Sequence, residues 1–210
     1  MLIINETRKE QINEFIDEDH QGIDRFYDLL EQNITPSKMQ KEMQLLIDKY
    51  PDFYDPYLVI ADILADTGKK RENAQILEKA YKHAIMRIAD CNGRWPKEMR
   101  WGFLENRHLM RTIEYFATLC WDTGFTATAL DIYRRLLRCN TNDNQGARHS
   151  ILAIRLGLTK QEWQKPLESI HNGQVIGLDA FKVSKIFNKN AKRFPEEFQW
   201  WFELHEGDEE

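Results

Sequence analysis

Apolar residues recur along this chain at helical spacing, in blocks separated by glycine, proline or small polar residues. Tyr57, Ile60, Ala61 and Leu64 fall on one face of a helix with a 3.6-residue period, and Leu77 and Ala80 on one face of the next. Gly68 stands between the two blocks, which predicts a helix-turn-helix pair. The arrangement returns 56 residues later around Gly124, with Ala117, Ala129 and Tyr133 at the matching positions. Stepping back 34 residues instead places Phe26, Tyr27, Leu30, Met39, Met43, Leu46 and Pro51 in the same slots. Three segments therefore share a 34-residue register, interrupted by an insert of 22 residues.

Local signals set the boundaries. Residues 1–19 read as an N-terminal helical segment, with Ile12, Phe15 and Ile16 on one face. The first pair spans about 20–53. Its second helix opens at Thr35-Pro36, a capping threonine before a proline suited to the first turn. It closes at Tyr50-Pro51, because proline disfavours helix in the residue before it. The second pair spans 54–87, opens at Asp55-Pro56 and overruns to about Ala89, with Asn73 where a small residue would allow closer approach. The insert, 88–109, carries Trp95, Trp101, Phe103 and Leu104, too apolar for a free loop, and Asn106 is placed to cap the helix that follows. A third pair spans 110–143 and a weaker fourth 144–174. Residues 175–210 read as a basic helix with Phe181, Val183, Ile186 and Phe187, then an aromatic helix with Phe198, Trp201 and Phe202, then an acidic tail.

This register resembles the tetratricopeptide repeat, whose pattern runs W-x2-L-G-x2-Y, then A-x3-F, then P. The blocks WGFLENR (101–107) and NDNQGAR (142–148) are similar to those of a bacterial group of tetratricopeptide proteins with W-G-x-L-E-N-R ahead of a repeat and N-D-N-Q-G-x-R after it. The likeness covers about 95–157, with His108 where proline is expected. It implies an all-α, right-handed superhelix of antiparallel helix pairs, with the inter-repeat insert and a C-terminal helical cap. It also implies a concave groove lined by the first helix of each pair. In the second pair that face holds Asp55, Leu58, Val59, Asp62, Ala65 and Asp66. In the third it holds Arg111, Glu114, Tyr115, Thr118, Trp121 and Asp122, and in the fourth Gln145, Arg148, His149, Leu152 and Arg155. The groove then runs from acidic to basic, and Asp62 and Asp66 would repel the acidic termini that some chaperone-binding members grip. The alternative is structural: Arg111 pairs with Glu114 or Glu105, and Trp121 packs on the next repeat.

Composition narrows the function classes. The 210 residues are 42% hydrophobic and 30% charged, the balance of a folded chain. No apolar run reaches the roughly 18 residues of a membrane span, and the opening ten residues lack the apolar core of a secretory signal, so a cytoplasmic protein without membrane association is expected. Cys91, Cys120 and Cys139 are odd in number and widely spaced, which suits free thiols. The net charge of −5 conceals a gradient, from −9 over residues 1–68 to +5 over residues 69–114.

No catalytic constellation is legible. Histidines are scattered, Glu105-x-x-His108 lacks the second pair that a di-iron bundle needs, and Gly68-Lys69 lacks the earlier glycine of a phosphate loop. No enzyme activity, cofactor or metal is expected. The leading expectation is a scaffold or adaptor that binds a protein or peptide, one with an acidic segment where Arg111, Arg148 and Arg155 cluster; self-association is open. The alternative is a helical-repeat RNA binder using residues 69–111 and 182–193. Nucleic acid is the weaker partner, because such repeats read RNA with recurring polar pairs and none recur here.

Overall fold

The computed structural model describes residues 11–18, 21–171 and 174–206. They are mostly helical: ten α-helices with three short 3-10 turns and a single two-stranded sheet. The helices are α1 (Ile23–Leu30), α2 (Pro36–Lys49), α3 (Asp55–Asp66), α4 (Lys70–Ile88), α5 (Arg107–Asp122), α6 (Thr126–Cys139), α7 (Ala147–Arg155), α8 (Lys160–Gln164), α9 (Ala180–Asn190) and α10 (Pro195–His205). Strands β1 (Glu168–His171) and β2 (Gln174–Leu178) pair antiparallel. The chain divides into two compact units, 1–119 with 138–140 and 120–137 with 141–210, so the division falls inside α5 and α6.

In the first unit α2 packs on both α1 and α3, and α3 packs on α4. The helix ends follow from local chemistry. Thr35 Oγ1 accepts from the Lys38 N–H at the start of α2, with Pro36 in its first turn. Gly68 has φ +73° between α3 and α4, a conformation that L side chains rarely adopt. Leu58, Ala61 and Leu77 form a buried cluster against which Ile76, Phe116 and Leu119 pack. Asn73 does not simply hold the two helices apart: its Nδ2 donates to the Ala61 carbonyl at 2.6 Å, joining them through a polar contact.

The expectation of helix at the N-terminus fails over the described residues. Residues 11–18 are extended, and 1–10 and 19 lie outside the described residues. Phe15 N–H donates to the Glu98 carbonyl, while Lys97 and Glu98 N–H donate to the carbonyls of Ile12 and Asn13, each at 2.9 Å. Asn106 is fully buried and fastens this strap rather than capping α5. Its Nδ2 donates to the Phe15 carbonyl (2.9 Å) and its Oδ1 accepts from the Asp17 N–H (3.0 Å). A primary amide matches a peptide's donor and acceptor, so one side chain satisfies two backbone groups that burial would otherwise leave unpaired.

Within the insert, Trp95 and Met99 are buried and Trp101 is half-buried under Arg107, whose guanidinium sits 5.2 Å from the indole centroid. Leu104, expected to be covered, is 65% exposed.

In the second unit α7 packs against α9. Phe187 of α9 is its hub, meeting His149, Phe198 and Trp201 edge-on at centroid distances of 5.4, 5.1 and 5.8 Å. The β-hairpin departs from the all-α expectation. The run ESIH–NG–QVIGL supplied the signal, Asn-Gly between β-branched residues, which favours a hairpin.

Candidate functional site

Of the first unit's expected groove residues, Asp62 and Asp66 are exposed on α3, and Arg111, Glu114, Tyr115 and Thr118 lie on α5, partly or largely exposed. Tyr115 and Asp62 are hydrogen-bonded through their side chains. Partial burial and the neighbouring Asp66 raise the Asp62 carboxyl, with Tyr115 opposing; burial and then Asp62 raise the Tyr115 phenol. Arg111 belongs to the architecture. Its Nε and Nη2 donate to the two oxygens of Asp55 at 3.0 and 2.5 Å, a two-pronged pair that ties α5 to the first turn of α3. The partner is thus Asp55, and neither Glu105 nor Glu114.

Trp121, Arg148 and Arg155 of the second unit are similarly engaged. Trp121 is buried and its indole N–H donates to the Leu158 carbonyl at 3.0 Å. Asp143, at φ +49°, accepts from the N–H groups of Ala147 (2.6 Å) and Arg148 (3.1 Å) and from Arg148 Nη1 (2.8 Å). It therefore caps α7 and holds a guanidinium that also lies 4.8 Å from the Trp201 ring. Arg155 pairs with Glu196, and Arg134 with the buried Glu197, both acids from the first turn of α10. The carboxylates beside these arginines are the chain's own. Gln145 is half-buried just ahead of α7.

A groove that the sequence does not signal lies on the first unit. Ile47 of α2, Tyr57, Ile60 and Leu64 of α3 and Ile76 of α4 form its apolar lining. Gln40, Gln44, Lys69, Glu72, Gln75 and Lys79 supply its polar groups, and it encloses about 390 Å³. Lys79 Nζ stands 5.9 Å from the Tyr57 ring centroid, so one basic group lies over the groove's aromatic residue. Tyr57, Ile60 and Leu64 are the residues whose period marks them as packing positions. They do pack, at 1%, 2% and 6% exposure, so they form a buried floor beneath the cleft's polar rim.

Of the histidines, His149 on α7 has a buried Nε2 with no hydrogen-bond partner among the described residues, and burial followed by the neighbouring Arg148 lowers its pKa to about 3. His108 is buried with Nδ1 accepting from the Tyr54 N–H at 3.2 Å and Nε2 3.0 Å from Asp17 Oδ2, so neither ring nitrogen faces a substrate. Among the described residues no group of three or more His, Cys, Asp or Glu side chains could hold a metal ion. None of the described helices is long and apolar enough to cross a membrane. Comparison of the chain with protein-family models, with curated proteins and with solved structures yields no match.

Proposed function

We propose that the chain is a non-enzymatic interaction module of the tetratricopeptide type, working in the cytoplasm as a scaffold or adaptor for a peptide or short helix. The reading includes a right-handed superhelix of its helix pairs. One observation carries it: the first unit has a cleft between α2 and α4 whose floor is apolar and buried and whose rim offers amides and ammonium groups to a partner. Helix-in-groove recognition needs this pairing of apolar anchor sites with a polar margin. The Asp62, Asp66, Glu114, Tyr115 and Thr118 surface is a second contact in the same reading. Arg111, Trp121, Arg148 and Arg155 serve mainly to hold the framework, since each already has an internal partner.

The test is selection from a displayed peptide library on the full chain, followed by affinity measurement with Gln44→Arg and Lys79→Glu. Enriched peptides should carry apolar residues at i, i+3 or i+4 spacing and lose about tenfold in affinity on each variant, the effect of removing one good polar contact. Failure to enrich any peptide, or enrichment of peptides indifferent to both variants, would sink the reading.

A further inference from the structure

The hairpin of the second unit is exposed on every residue of β2. Val175 and Ile176 are 58% and 67% exposed, Ile170 across the pair 64%, and Phe181, in the first turn of α9, 77%. Val175 and Ile176, consecutive on β2, point to opposite faces, so the ribbon is apolar on both, and exposed large apolar side chains mark a surface that meets another apolar phase. A two-stranded hairpin also gains little stability in water by itself.

The helix that follows the hairpin in the chain carries a basic face. α9 buries Val183 and Phe187 against its own unit. On its opposite side Lys182, Lys185 and Lys189 follow one another at spacings of three and four, and Lys192 continues the row in the 3-10 turn beyond, all exposed, with Phe181 at the edge of the same stripe. Lys182 has Asp179 at 3.6 Å, and Arg193 donates to Asn190. Residues 174–194 hold five basic side chains and one acidic.

We propose that this surface docks on an anionic phospholipid bilayer. The hairpin's Ile170, Val175 and Ile176, with Phe181, enter the interfacial zone, and the lysine stripe faces the lipid phosphates. Lipid fits better than nucleic acid, whose phosphate backbone would leave four large apolar side chains without an apolar environment. Lipid phosphates also have no fixed lattice, and lysine, a point charge on a flexible stem, needs none. Charge alone gives weak, salt-sensitive attraction, and apolar insertion alone gives no preference for anionic lipid; surface helices and loops that bind such membranes combine the two. The contact is peripheral and needs no spanning helix. It revises the expectation of no membrane association, which rested on hydropathy and so reads only spans. It is independent of the groove on the first unit.

The experiment is sedimentation of the full chain with vesicles of phosphatidylcholine alone and of phosphatidylcholine with phosphatidylserine, across a salt series. Two double variants are compared, Ile176→Ser with Phe181→Ser and Lys185→Glu with Lys189→Glu. All four positions are exposed, and unchanged circular dichroism verifies that the fold is kept. The chain should bind the phosphatidylserine vesicles, bind neutral vesicles at least about tenfold more weakly, and lose about tenfold or more in either double variant. The proposal is overturned if phosphatidylserine vesicles leave the chain in solution, or if they bind both double variants as well as the parent. Two further results overturn it. Binding of homopolymer RNA that only the lysine pair affects, without vesicle binding, assigns the surface to nucleic acid. A dimer abolished by the serine pair, again without vesicle binding, assigns it to a second copy.

Discussion

Asp17 and His108 stand 91 positions apart in the chain, and Asp17 Oδ2 lies 3.0 Å from His108 Nε2 in a buried contact. The Tyr54 N–H occupies the other ring nitrogen, which places the imidazole proton on Nε2, pointing at the carboxylate. Arg87 completes the set, donating to both Asp17 oxygens at 3.0 and 2.5 Å. This carboxylate, on a strap of extended chain, organises the polar interior of the first unit.

Asp17→Asn should destabilise the first unit by about 3 kcal/mol at neutral pH, because a buried ionic set loses its anion and Arg87 is left with the looser contact to Asp52 at 3.6 Å. Burial works to raise the Asp17 carboxyl, but the hydrogen bonds from His108 and Arg87 outweigh it and hold the group at about 2. The folded value lies below the unfolded one of about 3.9. The contribution is therefore fully present above about pH 4–5 and fades as the pH falls toward 2. Urea unfolding at pH 7 and pH 3 checks this: the gap between parent and variant should narrow at the lower pH, and an equal gap at both would refute it.

Asp143 has the opposite sign. Burial pushes its carboxyl up to about 6 in spite of Arg148 and the N–H groups it caps. Its contribution to stability is greatest below the unfolded value near 3.9 and is lost as the pH rises through about 6. Asp143→Asn keeps a capping oxygen and tolerates positive φ, so it should lie within about 1 kcal/mol of the parent at pH 7, whereas Asp143→Ala loses about 1–2 kcal/mol. Carbon-13 NMR titration of the carboxyl tests the cause directly; a midpoint near 4 would remove it.

Ala117 is wholly buried on α5, so Ala117→Trp should cost about 1–3 kcal/mol or more through overpacking. Thermal unfolding reads the effect, and an unchanged melting temperature would mean that the position can open.

Glu197 is buried and bonded to Arg134, with Arg155 at 3.5 Å. Glu197→Ala should therefore loosen α10 before anything in the first unit, costing about 1–3 kcal/mol for the donors it strands. Hydrogen exchange resolved by residue should show amides of α10 exchanging faster and those of α3 unchanged. Equal acceleration in both helices would contradict a local role.

Features set by neighbours in the chain were legible in the sequence, such as the Thr35-Pro36 start of α2 and the Gly68 turn. The mostly helical character and the two C-terminal helices also followed from apolar period. The strap did not, because Ile12, Phe15 and Ile16 have helical spacing, and only pairing with residues 97 and 98 and with Asn106 makes them extended. The arginines read as available for the same reason. Arg111 finds Asp55 at 56 residues' separation and Arg155 finds Glu196 at 41, beyond any pattern of i+3 or i+4. The groove was hidden because its polar rim is assembled from two separate segments, Gln40 and Gln44 of α2 with Lys69, Glu72, Gln75 and Lys79 at and within α4, above the buried Tyr57, Ile60 and Leu64.

In arrays where each helix pair touches only its neighbours, stability is close to a sum of local terms, and such chains unravel from an end. The clasp formed by residues 11–17 with residues 95–108 works against that behaviour. Its hydrogen bonds span 83 to 91 positions, so the span between must be in place before they close. Closing so large a loop adds an entropic barrier that slows formation. Once closed, the clasp should make residues 11–108 unfold as one block rather than from one end.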